Sequence, residues 1–168
     1  MRITQEADYA LRIVYFLAIQ NMTIDAGTIA KEISIPQRFS LKILRKLMLN
    51  EIVRSRKGAS GGYFLSLPLS EITVLRVIEC IDGPLYMNKC LHNENVCNGG
   101  TEKGNCYFHN LFYELNRYVV DKLGNITFAD VIQHYKETSD VKNYIMMRTK
   151  DELCPKNEIR NLDSLKNS

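Results

Sequence analysis

The sequence predicts a mainly α-helical protein with one small β-hairpin. Apolar residues recur every three or four positions through most of the chain, which is the period of an amphipathic helix. Between residues 51 and 67 the pattern changes to alternation and is broken by a glycine-rich turn. With 168 residues, 45% of them hydrophobic and 24% charged, the chain can bury one core and does not have a disordered composition.

Basic residues are concentrated in the first part of the chain. Residues 1–67 carry 10 Lys/Arg against 5 Asp/Glu, whereas residues 68–168 carry 12 Lys/Arg against 14 Asp/Glu. The N-terminal part is therefore +5 and the remainder −2, within a total of +3. This asymmetry indicates a polyanion-binding head, residues 1–67, on a separate body, residues 68–168. A solvated basic face is the alternative, and charge alone does not separate the two.

Three helices are predicted in the first fifty residues. The first spans residues 5–20, with Thr4 as its N-cap and Asn21 as its end. Asp25 caps a short second helix. Pro36 fits the first turn of a third helix, where its missing N–H is no loss.

The third helix carries a polar and basic face beside its apolar stripe. Two short helices joined by a brief turn, the second of them basic, are typical of a helix-turn-helix. An ordinary helical hairpin with a solvated face is the alternative. The polar side chains of this face are Gln37, Arg38, Lys42, Arg45 and Lys46.

A basic, glycine-rich hairpin is predicted directly after the third helix. Residues 51–57 alternate like a strand, residues 58–62 form a flexible turn, and residues 63–67 form the returning strand. A plain hairpin would explain the glycines alone. The serial order of short helix, basic helix and basic hairpin is more specific, and it predicts a winged helix-turn-helix that binds DNA.

Candidate DNA contacts come from the third helix and from the hairpin, or wing. The two arginines of the first wing strand would hold phosphates, and Lys57 would approach a minor groove. Arg38 and Lys42 would contact bases or phosphates, and Gln37 would read a base. The full candidate set is Thr4, Gln37, Arg38, Phe39, Lys42, Arg45, Arg54, Arg56, Lys57, Ser60, Gly61 and Tyr63.

A polar segment between Cys90 and His109 carries metal-binding chemistry. It also holds Cys97 and Cys106, with six and eight residues between successive cysteines, and many of its other residues are turn formers. Three thiols and an imidazole in such a loop indicate an iron–sulfur or metal site rather than a core. Zinc is an alternative, although structural zinc sites use closer cysteine pairs. The remaining alternative is that these three cysteines have no ligand role.

The other cysteines and histidines are expected to have no ligand role. Cys80 falls inside a predicted helix over residues 74–81 and fits a buried free thiol. Cys154 lies in the polar tail and is not counted as a ligand. His92 and His134 are expected to be exposed.

A long amphipathic helix is predicted over residues 107–123, followed by a short helix that begins within residues 126–132. Its wide apolar stripe is expected to pair with a second copy of the chain rather than with the small head. The predicted regions are a winged helix-turn-helix domain (1–67), a linking helix (68–89), a cluster-binding loop (90–106), a dimerisation helix with the following short helix (107–135) and a partly flexible tail (136–168).

Several motifs resemble the IscR/NsrR family of bacterial iron–sulfur transcription regulators. The opening MRITQEADYALR is similar to the family's start, in which Met-Arg-x-Thr is followed by Tyr-Ala. Ile35-Pro36 leading to Phe39 is similar to its recognition helix, and the stretch from Arg56 to Tyr63 is similar to its wing. Asn125-Ile126-Thr127 is similar to the segment after its dimerisation helix. The likeness covers residues 1–134.

The resemblance implies a homodimer with a winged-helix head on each chain and a cluster held just before the dimer helix. Cys90, Cys97 and Cys106 correspond to the cluster cysteines, and His109 matches the histidine that is the fourth ligand in IscR-type members. Asp8 lies where some nitric-oxide-sensing relatives recruit an acidic ligand from the partner subunit. The cysteine gaps are wider than is usual in the family, so 2Fe-2S, which we prefer, and 4Fe-4S both stay open. Other members lack these cysteines and act through partner proteins.

We therefore expect a homodimeric, cytoplasmic regulator that binds near-palindromic double-stranded DNA and senses iron–sulfur status, redox state or nitric oxide. A cluster-free, thiol-sensing or zinc-binding regulator that acts through a partner protein is the alternative. No membrane partner, small-molecule substrate or enzymatic activity is expected, because no apolar run spans a bilayer and no catalytic set occurs at informative spacing.

Overall fold

The computed structural model describes residues 3–58, 60–92 and 106–137. Within these residues the chain is mostly helical and has one two-stranded antiparallel sheet, so the predicted fold class is confirmed. In chain order the elements are α1 (Gln5–Gln20), α2 (Ala26–Glu32), α3 (Gln37–Leu49), β1 (Val53–Arg56), β2 (Gly62–Leu65), a 3₁₀ turn (Leu69–Glu71), α4 (Val74–Asp82), α5 (Lys89–His92), α6 (Tyr107–Gly124) and α7 (Phe128–Glu137).

Local capping determines where the first helices begin and end. The Thr4 hydroxyl accepts from the Ala7 amide, and Asn21 ends α1 in the left-handed conformation with φ 47°. The Asp25 carboxylate accepts from the amides of Gly27 and Thr28 at 2.9 and 3.0 Å, which begins α2. These caps are confirmed. Pro36 differs from its prediction, because its extended backbone (ψ 134°) places it just before α3 rather than in the first turn.

The wing is shorter than predicted and is tied to the segment before α2. β1 and β2 pair from Val53 with Leu65 to Arg56 with Gly62. The backbones of Tyr63 and Ile24 exchange two further hydrogen bonds, at 2.8 and 3.0 Å. Gly62 is required at this crossing, because a Cβ there would lie 2.4 Å from the Ile24 carbonyl oxygen. The strand does not begin at residue 51 because Glu51 has a left-handed φ of 57°.

One hydrophobic core joins elements from most of the described chain. It contains α1, the inner faces of α2 and α3, the start of the wing and the inner face of α4. Residues from beyond position 67 belong to it, including the fully buried Ile72 and Val77 and the almost fully buried Phe128. Helix α4 packs on α1 and α3. The predicted linking helix is therefore part of the core of the head.

The start of α7 is held on the head by backbone hydrogen bonds as well as by Phe128. The Phe128 amide donates to the Ile72 carbonyl and the Val74 amide donates to the Ile126 carbonyl, both at 2.9 Å. No helix in the described part of the chain has the length and apolarity needed to cross a membrane.

Phe128→Ala tests whether α7 belongs to the same cooperative unit as the head. The Phe128 side chain is 2% exposed, so its loss should lower the free energy of unfolding by about 3–5 kcal/mol. Leu49→Ala is the control, because Leu49 is 76% exposed and its loss should cost less than about 0.5 kcal/mol. Urea denaturation of both variants measures the difference, and equal midpoints would contradict the core assignment.

Candidate functional site

Helix α3 presents one buried and one exposed face. Ile43, Leu44 and Leu47 are fully buried and hold the helix against the rest of the head. The candidate DNA-reading side chains Gln37, Arg38, Lys42 and Arg45 are exposed, and the face that they form is called the reading face below. The hydrophobic period that fixes the buried face therefore also determines which polar side chains point to solvent.

Phe39 occupies the boundary between these two faces. Its half-buried ring packs edge-on against Tyr9 of α1, with 5.7 Å between centroids and an interplanar angle of 86°. The Lys42 ammonium lies 5.8 Å from the centre of the Phe39 ring. Phe39 therefore contributes to the packing of α3 on α1 and lies under a basic side chain of the reading face.

The basic side chains of the wing are all exposed. Arg54 and Arg56 alternate along β1 and so share a face, and the Arg56 guanidinium lies 5.8 Å from the centre of the Phe64 ring. Lys57 and Ser60 are exposed at the turn, where the Gly61 amide donates to the Gly58 carbonyl at 2.9 Å. Four of the wing candidates, Arg54, Arg56, Lys57 and Ser60, are therefore accessible, whereas Ala59 lies outside the described residues.

Two candidate contacts have structural roles of their own. The Thr4 hydroxyl caps α1 and donates to a carboxylate oxygen of Asp82, while the Thr4 amide donates to the other oxygen at 3.0 Å. Tyr63 is half-buried, packs against the core and forms the backbone bridge to Ile24. Thr4 thus joins the first turn of α1 to the last residue of α4.

A charged cluster that was not predicted lies beneath the reading face. Glu6 of α1 forms ion pairs with Lys42 at 3.1 Å and with Lys46 at 2.9 Å. Burial raises the pKa of Glu6, but hydrogen bonds and attraction from the two lysines outweigh it, so the pKa is lowered overall. The same Lys46 ammonium donates to the Ile81 carbonyl of α4 at 3.2 Å. The partners lie 35 or more positions apart, so no local pattern could have indicated the cluster.

Two described helices flank the candidate cysteine site. Cys90 lies in α5, a helix that the sequence analysis did not predict, and Cys106 is the N-cap residue of α6. His109 follows in the first turn of α6, and all three side chains are half-buried. Helix α5 packs against α6, and the Met87 amide before it donates to the Asn116 side chain of α6 at 2.8 Å. Cys97 and the rest of residues 93–105 lie outside the described residues.

The side chains at the two ends of the cysteine segment, Cys90 on one side and Cys106 with His109 on the other, fit a group that is ligated by thiolates. Cys90 and Cys106 are free cysteines with partial access to solvent. Cys106 and His109 are three residues apart, which places them on the same side of a helical turn. Among the described residues, no group of three or more Cys, His, Asp or Glu side chains is close enough to hold a metal ion. Cys97, the third candidate cysteine, lies outside the described residues.

Cys80 differs from these thiols in both setting and chemistry. It is half-buried between α4 and α3, and its thiol donates to the Lys46 carbonyl at 3.4 Å. Burial raises the pKa of this thiol despite the nearby Lys46 and Arg76. The expected free thiol inside a helix is therefore present. His92 and His134 are exposed, as expected, and Cys154 lies outside the described residues.

Asp8 forms an ion pair with Arg12 at 2.7 Å on the partly exposed side of α1. The pair borders a cavity of about 260 Å³ between α1, α2, α4 and α7. Aromatic side chains, including Tyr15, Phe16 and Tyr135, form much of its wall.

Helix α6 has a wide apolar stripe of which only one half is covered. The covered half faces α4 and α5 and includes the half-buried Phe112, Val119 and Leu123. The adjoining half consists of Phe108, Leu111, Leu115 and Tyr118, which are 65%, 37%, 43% and 68% exposed. Large apolar side chains at spacings of three and four form one exposed face, and such a face is typical of an interaction site.

Comparison with known proteins agrees with this architecture. Residues 3–134 match the Rrf2 family, described as an iron-dependent transcriptional regulator. The chain belongs to the Rrf2 family. It is therefore a DNA-binding transcription regulator and not an enzyme, and the resemblance to IscR-like regulators is confirmed.

Individual relatives extend over most of the chain. An HTH-type transcriptional regulator from Haemophilus influenzae is 32% identical over 79% of this chain and 87% of its own length. IscR from Pectobacterium carotovorum is 29% identical over 84% of each chain.

Solved structures support the fold. CymR, the global cysteine regulator of B. subtilis, superposes with a TM-score of 0.67 at 20% identity, over 80% of this chain and 98% of CymR. IscR from T. potens superposes with a TM-score of 0.66 at 18% identity, over 87% of this chain and 96% of that one.

Substitutions on α3 and on the wing test the DNA-reading surface. Arg38→Ala should weaken binding by about 1–3 kcal/mol, because Arg38 is an exposed candidate base contact of α3. Lys57→Ala should weaken binding to all sequences and reduce the slope of log affinity against log salt by about one.

Lys136→Ala is the matched control for these variants, because Lys136 is an exposed lysine on α7 away from α3 and the wing. Fluorescence anisotropy over a salt series measures all three, with circular dichroism to establish folding. Wild-type affinity and salt slope in both Arg38→Ala and Lys57→Ala would contradict the assigned surface.

Proposed function

We propose that this Rrf2-family regulator is a homodimer that senses through an iron–sulfur cluster, preferably 2Fe-2S, held by Cys90, Cys97 and Cys106. His109 is proposed as the fourth ligand. The observation that supports this proposal is the position of Cys90 and Cys106 as free, half-buried thiols on two helices that pack together. One of these helices follows α4, which packs on the DNA-reading helix.

The proposed ligands have distinct roles. Cys106 and His109 share one side of the first turn of α6, so they would hold the group against the long helix. Cys90 would hold it from α5, and Cys97 would close it from the intervening segment. Thiolates suit iron–sulfur clusters because both partners are soft, and the cluster supplies a group that is changed or lost on reaction with oxidants or nitric oxide.

DNA recognition would use two heads at once. In a dimer, two α3 helices enter successive major grooves with half-sites about 34 Å apart, so the operator is near-palindromic. Gln37, Arg38, Lys42 and Arg45 would face the groove, and Arg54, Arg56 and Lys57 would follow the flanking phosphates. A change in the spacing or tilt of the heads then shifts the population of DNA-competent dimers.

The exposed half of the α6 stripe is proposed as the dimer interface. Phe108, Leu111, Leu115 and Tyr118 would pack against their copies or against neighbouring apolar residues of the second chain. The interface would begin immediately after the proposed ligands Cys106 and His109. Gain or loss of the cluster at these residues would therefore act at the junction between the dimer interface and the DNA-binding head.

A spectroscopic experiment tests the cluster. Protein purified without oxygen should be coloured and contain iron and acid-labile sulfide, and Cys90→Ala or Cys106→Ala should lose most of the visible absorption. Cys80→Ala is the matched control and should keep it, because Cys80 lies between α3 and α4. Colourless protein with stoichiometric zinc, or equal absorption in all variants, would contradict the proposal.

A matched pair of tyrosines tests the dimer. Tyr118 lies on the exposed apolar face of α6, whereas Tyr113, which is 55% exposed, lies outside it. Tyr118→Lys should weaken dimerisation at least about tenfold, equivalent to about 1.4 kcal/mol, because it places a charge in an apolar interface. Tyr113→Lys should leave the dimer intact. Sedimentation equilibrium measures both, and equal association constants would contradict the assigned interface.

A cluster-free regulator is the second candidate, because CymR, which has the same fold, is described as a global cysteine regulator and so suggests a signal based on thiols. In this case the free, half-buried Cys90 and Cys106 would sense oxidants as thiols or bind zinc, and a partner protein would carry the signal. Elemental analysis of protein purified without oxygen separates the two candidates. Iron with sulfide supports the first, and metal-free or zinc-containing protein supports the second.

A further inference from the structure

We propose that Glu6 is a positioning residue that couples the DNA-reading helix α3 to the end of α4, from which the chain enters the cysteine segment. This inference rests on the proposed function in one respect, because the signal it transmits would start at Cys90. The coupling itself consists of contacts within the described head.

One ammonium group joins three helices. Lys46 of α3 lies 2.9 Å from Glu6 of α1 and donates to the Ile81 carbonyl of α4 at 3.2 Å. The Glu6 and Lys46 side chains are only 17% and 33% exposed, so water screens this pair less than an ordinary surface pair. Ile81 is in the last turn of α4, where carbonyls lack helical partners and accept readily from a cation.

A second contact holds the same end of α4. Asp82, the last residue of α4, accepts from both the amide and the hydroxyl of Thr4, two residues before Glu6. The first turn of α1 is therefore attached to α4 directly through Asp82 and indirectly through Glu6 and Lys46. A movement of the end of α4 relative to α1 and α3 would therefore strain these contacts.

The end of α4 is also the start of the path to the cysteines. Gly83 has φ 79° and ends α4, and Leu85 is buried two residues later. Cys90 follows in α5, eight positions after Asp82. The Leu85 amide donates to the Glu79 carboxylate of α4 at 3.4 Å, so this connection is tied to the C-terminal part of α4. A change in the position of α5 would therefore be transmitted to Ile81 and Asp82.

The reading face lies on the same rigid helix as Lys46. Lys42 is one turn before Lys46 and bonds the other oxygen of the Glu6 carboxylate at 3.1 Å. Lys42 is 58% exposed, so its bond to Glu6 is screened and can be exchanged for a phosphate. Lys46 therefore couples α3 to α4, whereas Lys42 is available to contact DNA.

The test compares the ratio of operator affinities between cluster-loaded and cluster-free full-length dimers. Glu6→Gln and Lys46→Met should bind DNA in both states but reduce the wild-type ratio at least about fivefold, because the polar link between α3 and the end of α4 is weakened while their direct packing remains. Lys42→Met is the matched control: it should lower both affinities and leave the ratio within about twofold of wild type. A wild-type ratio retained in both Glu6→Gln and Lys46→Met would overturn the coupling.

A second measurement separates this inference from the cluster proposal. Hydrogen exchange on cluster-free protein should be faster at the last turn of α4, as well as in α3, in Glu6→Gln than in wild type. Unchanged exchange at Ile81 and Asp82 would overturn the coupling whatever the cluster does. A wild-type affinity ratio of one, together with faster exchange in Glu6→Gln, would instead overturn the proposed cluster switch and support the mechanical link.

Discussion

Burial of α1 is the constraint on which the rest of the structure depends. Ala7, Ala10, Ile13 and Val14 are fully buried, so the helix passes through the centre of the head rather than along its surface. The two alanines let neighbouring helices approach closely, and α3, α4, α7 and β2 all pack on α1. The orientation of α3 is therefore determined by the packing of its buried face on α1. Its opposite face carries the exposed polar side chains.

Features that depend on local chemistry could be predicted from the sequence. Thr4, Asn21 and Asp25 mark the limits of α1 and the start of α2 because each makes hydrogen bonds within a few residues. The long helix at 107 and the hairpin after α3 follow from strong periodicity. The exposed position of the basic side chains on α3 follows from the same periodicity.

Features that depend on distant contacts could not be predicted. The inclusion of α4 and Phe128 in the core needs the tertiary arrangement, because an amphipathic helix does not specify its partner. The Glu6 cluster joins residues that no window of sequence brings together. Helix α5 has four residues, which is too short for a periodic signal, and in the sequence its position is obscured by the turn-forming residues that follow Cys90.

The backbone bridge between Tyr63 and Ile24 has a consequence for the thermodynamics of DNA binding. A free hairpin would lose conformational entropy when it settled on the phosphate backbone, and this loss would reduce affinity. Here β2 is attached to the segment that leads into α2, so the wing and the helix-turn-helix form one preorganised surface. Part of this conformational entropy is already lost during folding, so contacts between the proposed wing arginines and DNA would contribute more fully to affinity.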